Sequence, residues 1–93
     1  MKVVKLNRRY KAYKEGFTHA LRFDHWEKHA GDIEQFLTKR YGSQYNWNKP
    51  QSQWTSGFGS RPSRSDSRPY WINLRRESDV TMILLSGNYT VQS

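Results

Sequence analysis

The sequence predicts an α+β domain: an antiparallel sheet of four to six strands with one amphipathic helix packed on one face, in the order ββαβββ. Three observations carry that reading. Trp26, Ala30, Ile33, Leu37 and Tyr41 recur on one stripe of a helical wheel, with Phe36 at its edge. Two segments, Phe17–Phe23 and Tyr70–Arg76, alternate at the two-residue period of a strand. Turn residues stand between the periodic runs, at Glu15-Gly16 and Ser86-Gly87-Asn88.

Each element has its own local signals. Val3–Leu6 is short and β-prone. Tyr10–Tyr13 and Phe17–Phe23 flank Glu15-Gly16 as a hairpin, Gly16 supplying positive φ. Phe17, His19, Leu21 and Phe23 form the more apolar face, against Thr18, Ala20 and Arg22. A helix over 24–41 opens on Asp24 with Glu27 at capping-box spacing and closes on Lys39, Arg40 and Gly42. Gly31 is costly inside it and marks a candidate break. Gln53–Phe58 is a further candidate strand. Tyr70, Ile72 and Leu74 point one way, Trp71, Asn73 and Arg75 the other. The apolar run Val80–Leu85 reads as a central strand paired in a C-terminal hairpin, and Tyr89–Val91 as an edge strand.

Residues 43–69 differ from the rest, with seven Ser, three Pro, two Gly and one acid. A 27-residue connection of this kind is functional or disordered more often than it is a plain loop. The part from 57 to 69, ahead of the expected hairpin, is the candidate mobile loop of a single domain spanning 1–93. Composition narrows the function classes. With 34% hydrophobic residues and a mean hydropathy of −1.04 the chain is polar, yet 15% aromatic residues supply core and argue against wholesale disorder. The absence of cysteine removes disulfides, thiolate catalysis and cysteine zinc sites. No apolar run approaches a membrane span, and no apolar h-region follows the basic N-terminus. The expectation is a cytoplasmic protein without membrane partner or cofactor.

Charge is unevenly distributed. Residues 1–14 hold six cations and no acid, and residues 43–76 hold six cations against Asp66, while 15–42 and 77–93 are slightly acidic. Both basic blocks are interleaved with aromatics, the residue types that replace condensed counterions and stack on bases. The candidate nucleic-acid-binding residues are Arg8, Arg9, Lys11, Lys14 and Tyr13 in the first block. In the second they are Trp54, Arg61, Arg64, Arg68, Trp71, Arg75 and Arg76. One surface exists only if folding brings the blocks to the same side, which turns the charge pattern into a geometric expectation.

Other classes have weaker signals. His25 and His29 are four apart and His19 precedes them, so the three are weak candidates for a metal. The string HWEKH is not the metalloprotease motif, since Glu27 is one place late for its base. The same histidines with an arginine are the residue types of a small basic ribonuclease, without any spacing that demands it. GFG at 57–59 lacks the rest of a P-loop. The main alternative is an accessory interaction module of the kind viruses and mobile elements encode. It would bind a protein partner, an acidic one included, through Trp47, Trp54 or a sheet edge.

Overall fold

Alternation and turn chemistry are realised in a computed structural model that describes residues 1–44, 48–59 and 68–86. Four strands, β1 (Lys2–Lys5), β2 (His19–Phe23), β3 (Trp54–Phe58) and β4 (Tyr70–Leu74), form one antiparallel sheet in the order β1-β2-β4-β3. Among the described residues three helices accompany them: α1 (Lys11–Lys14), α2 (Lys28–Tyr41) and α3 (Glu77–Ser86). The α+β class with an antiparallel sheet is therefore as expected. The element order, βαβαββα, is not, and more than one helix packs on the sheet.

The two faces of the sheet bury different clusters. Leu21, Phe23, Ile72 and Leu74 meet Ala30, Ile33 and Leu37 of α2 together with Val80 and Ile83 of α3. Each of the Leu, Ile, Val and Phe side chains, fully removed from water, contributes roughly 1.5–3 kcal/mol. The opposite face holds a smaller cluster, Leu6, Phe17 and Ala20, capped by Tyr10 and Ala12 and bordered by Trp71. Phe17 thus belongs to the opposite face from Leu21 and Phe23, because β2 begins only at His19 and Phe17 precedes its alternation.

Three local expectations are corrected. The expected Tyr10–Tyr13 strand is instead the N-cap and first residues of α1, and Glu15-Gly16 is its C-terminal cap. Phe17 N–H donates to the Ala12 carbonyl (3.1 Å) and Gly16 N–H to that of Tyr13 (3.0 Å), the paired bonds of a Schellman ending. Gly16 does adopt positive φ, +98°, but to stop a helix and not to turn a hairpin. The earlier strand that pairs with β2 is β1, with Val3 opposite Leu21. The second correction concerns the long helix, which starts at Lys28 after Glu27 and takes no side-chain cap. Asp24 instead pairs with Arg22 at 3.1 Å. Trp26 is therefore not on the buried stripe; it is 50% exposed and lies over Gly31, where an added Cβ would stand 3.2 Å from its ring. A side chain at 31 would have to push that ring aside by a few tenths of an ångström.

The third correction is the largest. Val80–Leu85 is helical, within α3. Val80 and Ile83 are buried three apart while Leu85 faces outward, and Glu77 and Asp79 occupy the first turn, where the dipole favours acids. A short apolar run does not distinguish strand from helix by its period, and here the helix wins. The C-terminal hairpin is accordingly β3–β4, with Phe58 opposite Tyr70 and the Gly59 N–H donating to the Pro69 carbonyl at 2.7 Å. The Ser/Arg segment joins these two strands instead of preceding them both. Its residues 60–67, and the edge strand expected at Tyr89–Val91, lie outside the described residues.

Gly16 is constrained twice, by its φ and by the Arg75 guanidinium, which an added Cβ would strike. Gly16→Ala should lower stability by more than about 1 kcal/mol. A urea unfolding curve checks this, the midpoint falling at unchanged slope.

Candidate nucleic-acid interface

The open face of the sheet, opposite α2 and α3, follows from register. Arg22 and Trp71 are cross-strand neighbours, as are Ala20 and Asn73, Thr55 and Asn73, and Gly57 and Trp71. Trp71 on β4 thus sits near the middle of this face. Tyr10 leans over it, with ring centroids 5.7 Å apart and planes tilted by 56°. The Arg22 guanidinium lies 5.9 Å from the Trp71 ring centroid.

Tyr10 and Trp71 line two grooves. The larger, of about 610 Å³, runs between the α1 region and β3, with Arg9 and Lys11 along one wall and Arg68 along the other. Trp71, Asn73 and Thr55 also line it, and Glu15 contributes an acid. The smaller, of about 470 Å³, is lined by Lys2, Lys5 and Arg22 beside the same Tyr10 and Trp71. Sequence reasoning missed Tyr10, Lys2, Lys5 and Arg22 as interface candidates. Arg22 carried a usable signal, since it alternates with the buried Leu21 and Phe23 and so had to face away from the helices.

The other expected residues divide by where their backbones lead. Arg8, Lys14 and Tyr13 are exposed around α1 without lining the larger groove. Arg75 is half-buried and donates to three carbonyls, those of Ser52 (2.8 Å), Glu15 (2.9 Å) and Pro50 (3.0 Å). It also stacks 4.4 Å from the Phe17 ring centroid. Trp54 is only 3% exposed, its ring in the core and its Nε1 donating to the Gly42 carbonyl at 3.0 Å. No ring face is left there for a base. Arg76 belongs to the helical layer, where it donates to the Tyr41 hydroxyl at 2.9 Å and approaches the buried Asp79 at 3.4 Å. Asp79 and then Tyr41 raise the Arg76 pKa, holding it cationic. Arg61 and Arg64 lie outside the described residues.

Comparison with family models, curated proteins and solved structures finds no match to this chain. The remaining candidates must be weighed on geometry. His19 is half-buried with Nδ1 2.9 Å from Thr18 Oγ1, and His25 and His29 are exposed, His25 ahead of α2 and not on it. Among the described residues no three His, Asp or Glu side chains converge as a metal site would need. Among them too, no helix is long and apolar enough to cross a membrane.

On the helix side, the Tyr70 hydroxyl donates to Glu34 Oε1 at 2.6 Å and lies 3.1 Å from Ser56 Oγ. Gln44 Oε1 accepts from the Ser56 N–H at 2.9 Å, which satisfies an outward-facing donor of the edge strand β3. Burial, and next the bond to Glu34, raise the Tyr70 pKa above its ordinary value. The folded chain therefore holds this proton more tightly than the unfolded one. The associated stability is complete below the unfolded pKa of about 10 and is lost as pH rises through the raised folded value. Urea midpoints measured from about pH 9 to about pH 11.5 should fall more steeply for the native chain than for Tyr70→Phe.

Proposed function

We propose that the chain binds nucleic acid through the open face of its sheet. The observation that carries this reading is the shared groove: Arg9 and Lys11 from the first basic block and Arg68 from the second flank one aromatic floor, Trp71 with Tyr10. Three cations along two walls meet one acid, Glu15, so the groove favours a polyanion threaded between them. Flat aromatic surface at its base suits a ligand that carries rings as well as charge. A basic patch alone would fit any anionic partner, an acidic protein included; aromatics standing beside the arginines favour nucleic acid. Arg22 adds little charge of its own, being paired with Asp24 at an exposed site.

Lys and Arg that contact phosphates release counterions, so affinity should fall steeply with salt. Anisotropy titration of labelled oligonucleotides across a salt series measures the slope of log K against log salt. Arg9→Ala, Lys11→Ala and Arg68→Ala should each weaken binding and reduce that slope by about one. Arg76→Ala, on the other layer of the molecule, should leave the slope unchanged. Absence of binding at low salt would refute the proposal, and an equal effect of Arg76→Ala would refute the groove as its location.

A further inference from the structure

Two glycines border Trp71, and only one is explained by packing. At Gly59 an added Cβ would lie 2.6 Å from Trp71 Nε1 and 3.1 Å from the Pro69 ring, so the close approach of backbone to indole requires glycine. At Gly57 an added Cβ would meet nothing within 4 Å. Its φ lies outside the left-handed region, which among the described glycines only Gly16 and Gly42 adopt. Neither crowding nor backbone conformation demands glycine there. A glycine inside a strand weakens it and often marks a bulge, a bend or a close approach of a ligand, and the pairing at Gly57 is regular, without a bulge.

That place is specific. Gly57 is the cross-strand neighbour of Trp71 on the open face, opposite in direction to Arg22. Arg22 and Tyr10 occupy two sides of the indole and Gly59 stands against its Nε1 edge, whereas the stretch facing Gly57 is open because residue 57 has no side chain. The slot opens into the larger groove, with Asn73 and Thr55 one pair along the same face. A carboxamide and a hydroxyl supply both donors and acceptors for the edge of a heterocycle.

We infer that the groove takes single-stranded nucleic acid, with one base entering the slot that Gly57 leaves open beside Trp71. The inference rests on the nucleic-acid reading above and narrows it. Arg9 and Lys11 on one wall and Arg68 on the other hold the phosphates flanking that base, while Asn73 and Thr55 meet its polar edge. A base stacked within a duplex reaches such a slot only by leaving its pair, which costs unstacking, so the unpaired strand is the ligand.

Gly57→Val tests this with little risk to the fold, since the site has room and β-branched residues suit strands. Its melting temperature should equal or exceed that of the native chain. The probes are an oligothymidylate and an oligouridylate of about ten nucleotides, a chain of the same length with abasic sites, and a duplex. The native chain should bind the base-bearing single strands at least about tenfold more tightly than the abasic chain. Gly57→Val should lose that difference while keeping the abasic affinity and the salt slope. Asn73→Leu should diminish the same difference. If the native chain binds based and abasic strands equally, prefers the duplex, or is indifferent to Gly57→Val, the slot is refuted while charge-driven binding stands. If it binds none of the probes at low salt, the nucleic-acid reading fails as well.

Discussion

The Arg75 guanidinium holds the open face together. It leaves the end of β4, crosses the ring of Phe17, and donates to carbonyls at Glu15, Pro50 and Ser52. Those carbonyls belong to the segment that ends α1 and to the segment that leads into β3. They are therefore the roots of the two walls of the larger groove. Charge-assisted bonds to backbone are stronger than neutral ones, and a planar fork sets direction as well as distance. Gly16 completes the arrangement, since any side chain there would occupy the guanidinium's position. The residue with the greatest apparent suitability for a phosphate thus acts one step behind the interface, by spacing the walls between which Arg9, Lys11 and Arg68 stand.

The sheet separates two kinds of surface. On one side α2 and α3 exclude water from Leu21, Phe23, Ile72 and Leu74, and the polar groups at the margin are hydrogen-bonded: Tyr70 to Glu34, Tyr41 to Asp79 at 2.5 Å. On the other side, among the described residues, only the short α1 region covers the sheet, over Leu6, Phe17 and Ala20. The remainder of that face, around Trp71, lines the larger groove. Incomplete cover is thus a consequence of topology. A four-residue helix cannot span a four-stranded sheet, and the other two helices, α2 and α3, pack on the opposite side.

Much of this was legible in local pattern. Tyr70, Ile72 and Leu74 are buried on one face as alternation predicts, and Ala30, Ile33 and Leu37 on the helix as its stripe predicts. Gly42 ends α2 with positive φ, 84°, and Lys39 and Arg40 stand in its last turn. The errors arose where one signal serves two structures. Glu15-Gly16 fits a hairpin turn or a Schellman ending, and the deciding fact was whether Tyr10–Tyr13 had a strand to pair with. Val80–Leu85 fits a buried strand or a buried helix, and the outcome was decided by the layer waiting beneath it. Among aromatics, Trp54 and Trp71 look alike in sequence, but strand parity sends the first into the core and the second to the open face.

The sequence by itself determined which residues β4 turns inward, which stripe of α2 is buried and where α2 ends, and that cations concentrate in two aromatic-rich blocks. These depend on neighbours within a turn or two, so local period and composition are sufficient. Tertiary structure alone decided that Arg9, Lys11 and Arg68 share a groove, that Arg75 and Arg76 go to opposite layers, and that Trp71 stands between Arg22 and Gly57. Those facts are cross-strand register and long-range hydrogen bonding between segments far apart in the chain. Register is set by how the whole sheet satisfies its buried face, because a slip of one residue would turn every apolar side chain outward.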